Sequence, residues 1–308
     1  MDNLNQQFKK FWEYINNSQF ITLLTHKNPD GDTIGTSVAL KQIIEINSTN
    51  IEQVQISGGE CPRNLEFLFD AKLDLVRDDF FDKSLKIVVD TSNKKRVFDQ
   101  RVDVTTSLKL DHHPEEEKFM FGIGGDHWPA CGQLLVEMVK SLNLKLNQKA
   151  MQALAVAIIS DTNNFTQRNI STSTFEAMSF LMSKGLEYKQ VLQNLKLNKQ
   201  EKQIIFDVLK TIQVDGLVSY IVSEQIISND IVRPLVNSFL DIADSEVCLA
   251  VLKSKQGFYR CSIRSHSYFD VSKIANNFGG GGHFHSSGFN IESLSQIKKV
   301  IELINKSQ

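Results

Sequence analysis

The sequence predicts an α/β protein. An N-terminal doubly wound, mainly parallel sheet is followed by a second, smaller α/β domain. Three observations carry that prediction. Strand-like segments at 20–25, 51–56, 86–89 and 105–110 are separated by turns and helical patterns, the order that builds a parallel sheet. Polar, Asp- or His-bearing segments follow directly after three of those runs. Past residue 211 the pattern changes to hairpins, with Asp215-Gly216 and Gln256-Gly257 as turn pairs.

Taken in order, residues 3–17 form an amphipathic helix with Phe8, Phe11, Trp12 and Ile15 at helical spacing. The strand at 20–25 runs into the polar turn 26–32, and a helix follows at 33–46. The strand at 51–56 precedes a short helix opened by Pro62, a position where the missing N–H costs nothing. The strand at 86–89 ends in Asp90, and the strand at 105–110 ends in Asp111. Residues 129–206 read as mostly helical, broken by a polar stretch at 160–169. The change of pattern places a first domain at 1–200, a linker at 201–210 and a second domain at 211–308. That last domain holds hairpins at 211–222 and 247–264, a helix at 270–278 leading into four glycines, and a closing helix at 293–305.

Composition narrows the function. The chain has 308 residues, enough for two ordinary domains, and its hydrophobic fraction of 41% excludes wholesale disorder. The net charge of −2 argues against a long electrostatic track for a nucleic-acid duplex but leaves room for a small anion held by local cations. The longest uninterrupted apolar run, Ala153 to Ile159, is far too short for a bilayer. The N-terminal stretch lacks the apolar core of a signal peptide, so the expected address is cytoplasmic, without a membrane partner. Cys61, Cys131, Cys248 and Cys261 make no zinc spacing and read as reduced packing or surface residues.

The chemistry lies in where His and Asp fall. His26, Asp30 and Asp32 share one turn after the first strand. Asp90 follows another strand, Asp111, His112 and His113 a third, and Asp161 follows the apolar run 153–159. The carboxyl ends of parallel strands share one edge, where ligands bind. Taken singly, an Asp there is more often a turn former or cap, and a lone His a satisfied structural residue. Four such segments together point instead to a common site. Carboxylate and imidazole without thiolate suit Mn²⁺, or Mg²⁺ with less preference for His, and the number of donors suggests two ions. Two ions sharing a carboxylate can polarise a phosphoryl group and activate water, so the residues point to metal-assisted phosphoester hydrolysis.

Five motifs then carry a resemblance: His26-Lys27-Asn28-Pro29-Asp30-Gly31-Asp32, Val89-Asp90-Thr91-Ser92, Asp111-His112-His113-Pro114, Ser160-Asp161-Thr162 and Gly279-Gly280-Gly281-Gly282-His283. In this order they resemble the DHH phosphoesterase superfamily with a C-terminal DHHA1-type domain. The layout is similar to the branch of bifunctional oligoribonucleases (nanoRNases) and pAp phosphatases. Thr33, Thr36, Asn163, Ser286 and Ser287 depart from the commoner residues around the motifs, and none is an implied ligand. The resemblance implies that His26, Asp30 and Asp90 hold one metal and that Asp32, Asp90, His112 and Asp161 hold the other, with Asp90 bridging and catalytic. It implies that His113 faces the substrate phosphate as a catalytic residue and that Asp111 stands behind, orienting a histidine ring. Arg264, Gly280, Gly281, Gly282 and His283 are the implied substrate-binding residues, the glycines because no Cβ blocks an anion. Phe284, Phe278 and Tyr259 offer faces for a base, with core packing the commoner role for each.

The expected enzyme is thus a metal-dependent phosphoesterase acting on short RNA, on linear dinucleotides such as pApA, or on the 3′-phosphate of pAp. It has no long-duplex partner, and a homodimer is left open. A cyclic dinucleotide phosphodiesterase and a non-catalytic nucleotide sensor are the alternatives.

Overall fold

The computed structural model describes residues 2–70, 72–166 and 169–307. The chain divides into two compact units, Met1–Lys196 and Leu197–Gln308. The first contains α1 (Asp2–Asn16), β1 (Phe20–Leu24), α2 (Gly31–Asn47), β2 (Gln53–Ser57), α3 (Asp78–Lys83), β3 (Leu85–Val89), β4 (Leu108–Asp111), β5 (Phe121–Gly124), α4 (Cys131–Leu142), α5 (Gln148–Asp161), α6 (Thr172–Ser183) and α7 (Tyr188–Asn194). The five strands among its described residues are all parallel, in the order β2-β1-β3-β4-β5.

Both faces of this sheet are covered, which is why its inner strands read as continuous apolar runs. Leu23 of β1 and Ile87 of β3 join the large core with Ile34, Leu40, Leu154 and Ile158 of α2 and α5. Their chain neighbours Leu24 and Val88 point the other way, into a cluster with Phe80, Phe81, Val97 and Val102. Because the chain leaves β1 toward β2 and β3 toward β4, the order reverses between two adjacent strands. That is a topological switch point, the crevice where such sheets bind ligands.

In this unit β4 and β5 differ from the sequence expectation. Val104–Thr106 form a short 3-10 turn, with the Asp103 carboxylate accepting the Thr105 N–H, so β4 starts only at Leu108 and contains Asp111 as its last residue. The edge strand β5 lacks the apolar run of a buried strand and was not expected.

The second unit contains α8 (Lys199–Leu209), β6 (Gln213–Asp215), β7 (Val218–Ile226), α9 (Asn229–Ile242), β8 (Val247–Lys253), β9 (Tyr259–Ser265), α10 (Val271–Asn276), β10 (Gly281–His283), β11 (Ser286–Ile291) and α11 (Ile297–Lys306). The sheet order is β10-β11-β9-β8-β7-β6, antiparallel except between β7 and β8, which α9 connects. Residues 201–210, expected as a linker, are instead most of α8 and its C-terminal cap. Asn198 and Glu201 close a reciprocal capping box at its start, and Ile205 and Val208 pack with Ile221 and Leu252 of the sheet. No helix among the described residues is long and apolar enough to cross a membrane.

Candidate metal centre

The turn after β1 is held by its backbone. Lys27 donates its N–H to the Arg96 carbonyl at 2.7 Å, and Phe98 donates to Thr25 at 2.9 Å, which fixes His26 between them. The basic run Lys94-Lys95-Arg96 thus serves this turn through its main chain. Asp30 is the N-cap of α2, accepting from Asp32 and Thr33 N–H groups at 3.1 and 3.3 Å. Gly31 has no room for a side chain, because a Cβ there would lie 1.9 Å from Ser160 Oγ. Its absence lets the start of α2 meet the end of α5, and so brings Asp30 and Asp32 toward Asp161.

Asp32 is fully buried and fixed from three directions. Cys131 and Gly132, at the start of α4, donate their N–H groups to its two oxygens at 2.7 and 3.0 Å, and Thr36 Oγ donates at 3.1 Å. A carboxylate at a helix N-terminus is well placed electrostatically. Asp90 sits past β3 in the left-handed region, φ 62°, with its N–H on the Leu110 carbonyl at 2.9 Å. That conformation is uncommon outside glycine and clusters at functional sites.

The two histidines after β4 have separate partners. His112 Nδ1 lies 3.1 Å from the Trp128 carbonyl, which can only accept, so Nδ1 carries the proton there. Its Nε2 faces Asp161 at 3.0 Å, Asp90 at 3.3 Å and Asp32 at 3.7 Å. His113 Nδ1 lies 2.8 Å from Asp111 Oδ1, and Lys109 Nζ stands 3.7 Å from the other Asp111 oxygen. His26 Nε2 is 3.5 Å from Asp90 and 3.7 Å from Asp30.

The donors therefore form overlapping groups. His26, Asp30 and Asp90 make one, and Asp32, Asp90, His112 and Cys131 another, the atoms of each within 4.8 Å of one another. Asp90, Asp111 and His113 make a third. Asp90 belongs to all three. Cys131 was missed by sequence reasoning, because nothing in its spacing marks it. Its Sγ lies 3.5 Å from Asp90 only because α4 begins beside the end of β4.

The electrostatics is that of a site short of positive charge. Burial pushes Asp32 well up, and the neighbouring charges of Asp90 and Asp161 add to it. Burial alone would lower His26 and His112. Asp30 and Asp90 override it and raise His26 to about 10, and Asp161 and Asp90 raise His112 well above its ordinary value. Asp90 is held well below the usual carboxylate range, burial opposing and the two imidazoles prevailing. Buried carboxylates in this number need cations, and the oxygen and imidazole donors fit hard divalent ions.

In the second unit, cross-strand register places His283, Ser286 and Arg264 side by side. Burial and the neighbouring Arg233 pull Arg264 down to about 10. The glycines are not equivalent. A Cβ at Gly280 would lie 2.2 Å from the Gly288 carbonyl, and Gly282, φ 143°, would meet the Ser286 carbonyl at 2.5 Å. Strand packing thus requires both as glycine. Gly281 meets only Asn276 Oδ1, at 4.0 Å. Tyr259 belongs to the core and Phe278 packs against it, stacked on Phe289 at 4.9 Å, while Phe284 is exposed.

Residues 213–307 match the DHHA1 domain family. The chain is similar to the probable bifunctional oligoribonuclease and PAP phosphatase NrnA of Streptococcus mutans, 27% identical over 96% of this chain and 97% of the relative. These matches support a place for the chain in the DHH superfamily. The NrnA protein of Mycoplasma pneumoniae is 25% identical over 92% of this chain and 90% of its own length. In fold, an exopolyphosphatase-related protein from Bacteroides fragilis superposes with a TM-score of 0.82 at 18% identity, covering 98% of this chain and 96% of that one. These matches thus span both units of the chain.

Proposed function

We propose that this DHH-superfamily phosphoesterase hydrolyses short oligoribonucleotides, linear dinucleotides such as pApA, and the 3′-phosphate of pAp. The observation that carries the reading is Asp90, shared by the donor groups at the switch point of a parallel sheet. His26, Asp30 and Asp90 would hold one divalent ion, and Asp32, Asp90, His112 and Asp161 the other, with Mn²⁺ preferred over Mg²⁺ for the imidazoles. When bound, such a pair supplies Lewis acidity toward a phosphoryl oxygen and an acidified water.

The chain's own groups supply the rest. Asp90 is pre-set by its left-handed backbone, and Asp32 by the α4 N–H groups, so neither reorganises when substrate arrives. Asp111 holds His113 through Nδ1, which leaves Nε2 to face the phosphate and to give a proton to the leaving oxygen. Arg264 and His283 bind the nucleotide's anion beside the exposed backbone of Gly281. The setting of this reading is cytoplasmic. A hydrolysis panel with Mn²⁺ over pAp, pApA, cyclic diadenylate, RNA of increasing length and pyrophosphate tests it. The expected result is hydrolysis of the first two and of the shortest RNA. Exclusive hydrolysis of cyclic diadenylate or of pyrophosphate, or no hydrolysis at all, would overturn it.

A further inference from the structure

One face of the second sheet changes character half-way across. Cys248, Ala250 and Leu252 of β8 and Ile221 of β7 are buried there with residues of α8 and α9. Register carries the same face on to Arg260, Ser262 and Arg264 of β9, and from there to Asn290, Gly288 and Ser286 of β11. Beyond β8 it holds no apolar side chain. The opposite face of β9 and β11 is ordinary core, built from Tyr259, Cys261, Ile263, Phe289 and Ile291. This sheet half has core at its back and a polar front, exposed at Gly281, His283, Gly288 and Asn290 and half-buried at Arg260 and Arg264, a surface suited to a polar ligand.

The surface has a graded structure. At its centre Ser262, Gly288 and Gly281 lie side by side across three strands. Gly281 and Gly288 are exposed, neither has a positive φ, and a Cβ on either would meet nothing closer than 3.4 Å. The fold does not require glycine at these two positions, in contrast to Gly280 and Gly282. Their bareness leaves a flat strip onto which a planar body can settle. On one side of the strip runs the row of Arg264, Ser286 and His283. On the other run Arg260 and Asn290, paired across β9 and β11. Arg260 and Arg264 are four residues apart on one strand, roughly 13 Å. That is the scale of a nucleotide lying across the strip with its phosphate at Arg264.

We infer that Arg260 and Asn290 form a base-reading edge that selects a purine in the nucleotide held by this domain. The inference rests on the proposed function for the placement of the phosphate at Arg264. A purine is long enough to cross the strip, and its far edge offers N7 as acceptor beside O6 or the N6 amine. Arginine supplies only donors, in a planar fork, and asparagine supplies one donor pair and one acceptor, so together they satisfy guanine or adenine. A pyrimidine has no N7 and is a ring shorter.

The test measures binding of GMP, AMP, CMP and UMP to the full chain by calorimetry, which needs no turnover. The unaltered chain is expected to bind the purine nucleotides at least tenfold tighter than the pyrimidine ones. Arg260→Ala and Asn290→Ala should each weaken purine binding about tenfold and change pyrimidine binding less than twofold. Arg260→Lys keeps the charge but loses the fork, and should also lose purine preference. Gly288→Val should weaken all four, with an unchanged melting temperature showing that the sheet is intact. Equal binding of all four nucleotides by the unaltered chain would overturn the inference. So would an Arg260→Ala variant that loses purines and pyrimidines alike, which would make Arg260 a phosphate contact. Hydrolysis of pApA, run in parallel, reports on the proposed function separately. Purine-selective binding without hydrolysis would sink that function and leave the base-reading edge standing.

Discussion

Asp90→Asn perturbs the centre at the point all its donor groups share. Asparagine is nearly isosteric and among the residues that best tolerate the left-handed backbone, φ 62°, so the strand end should keep its shape. What changes is charge. At an effective dielectric of about 20, a unit charge 3.5 Å from the His26 imidazolium is worth about 5 kcal/mol. Asp30 remains 3.7 Å from the same nitrogen and solvent relaxes around the change. The net effect is then a drop of roughly 1–2 units in the His26 pKa at 1.36 kcal/mol per unit. The folded-state value is about 10, so the drop is readable by NMR titration of the metal-free protein, with His112 moving in the same direction. If the two proposed ions share Asp90, the same lost charge would leave both positions short of negative charge. Turnover should fall at least about a thousandfold, some 4 kcal/mol of barrier. Near-normal turnover together with an unmoved His26 would refute the reasoning and make Asp90 a structural strand-end residue.

Chelation followed by dialysis should abolish hydrolysis, and Mn²⁺ should restore it better than Mg²⁺ or Ca²⁺; full activity in excess chelator would contradict a metal mechanism. His283→Ala and Arg264→Ala should leave metal content, read by elemental analysis, unchanged while raising KM for nucleotides. On RNA, efficiency per end should peak at about two to five nucleotides, because the net charge of −2 offers a longer strand no extended basic surface; faster processive decay of long strands would exclude the small-substrate reading. Away from the centre, Asp99 is buried, and Arg101 and Ser57 hold its carboxyl below the ordinary 3.8 against the effect of burial. Its stabilisation is therefore present above that value and lost as pH falls through the lower folded-state pKa. Arg101→Ala should cost about 2–3 kcal/mol in denaturant unfolding at pH 7, less than for a fully buried pair because Arg101 is 30% exposed, and the deficit should shrink in acid.

The sequence by itself determined the elements whose signal is local. Apolar runs bounded by polar turns marked β1 and β3, and Asp215-Gly216 and Gln256-Gly257 marked two hairpins, because period and turn chemistry act over a few residues. The motif order also made the DHH and DHHA1 resemblance legible, and with it the candidate donors. Edge strand β5 was not legible, since its pairing with β4 rather than its own composition makes it a strand. Neither was helix α8, whose apolar face acquires meaning only against the second sheet. At the centre, tertiary structure alone decided that Asp111 serves His113 while the Trp128 carbonyl serves His112, and that the α4 backbone grips Asp32. It alone brought Cys131 to within 3.5 Å of Asp90, and separated the glycines that strand packing demands from those it does not. The physical reason is common to all of these. A side chain's identity is written in the chain, but its hydrogen-bond partner and its local charge come from segments up to a hundred residues away, and those are set only when the strands take their order in the sheet.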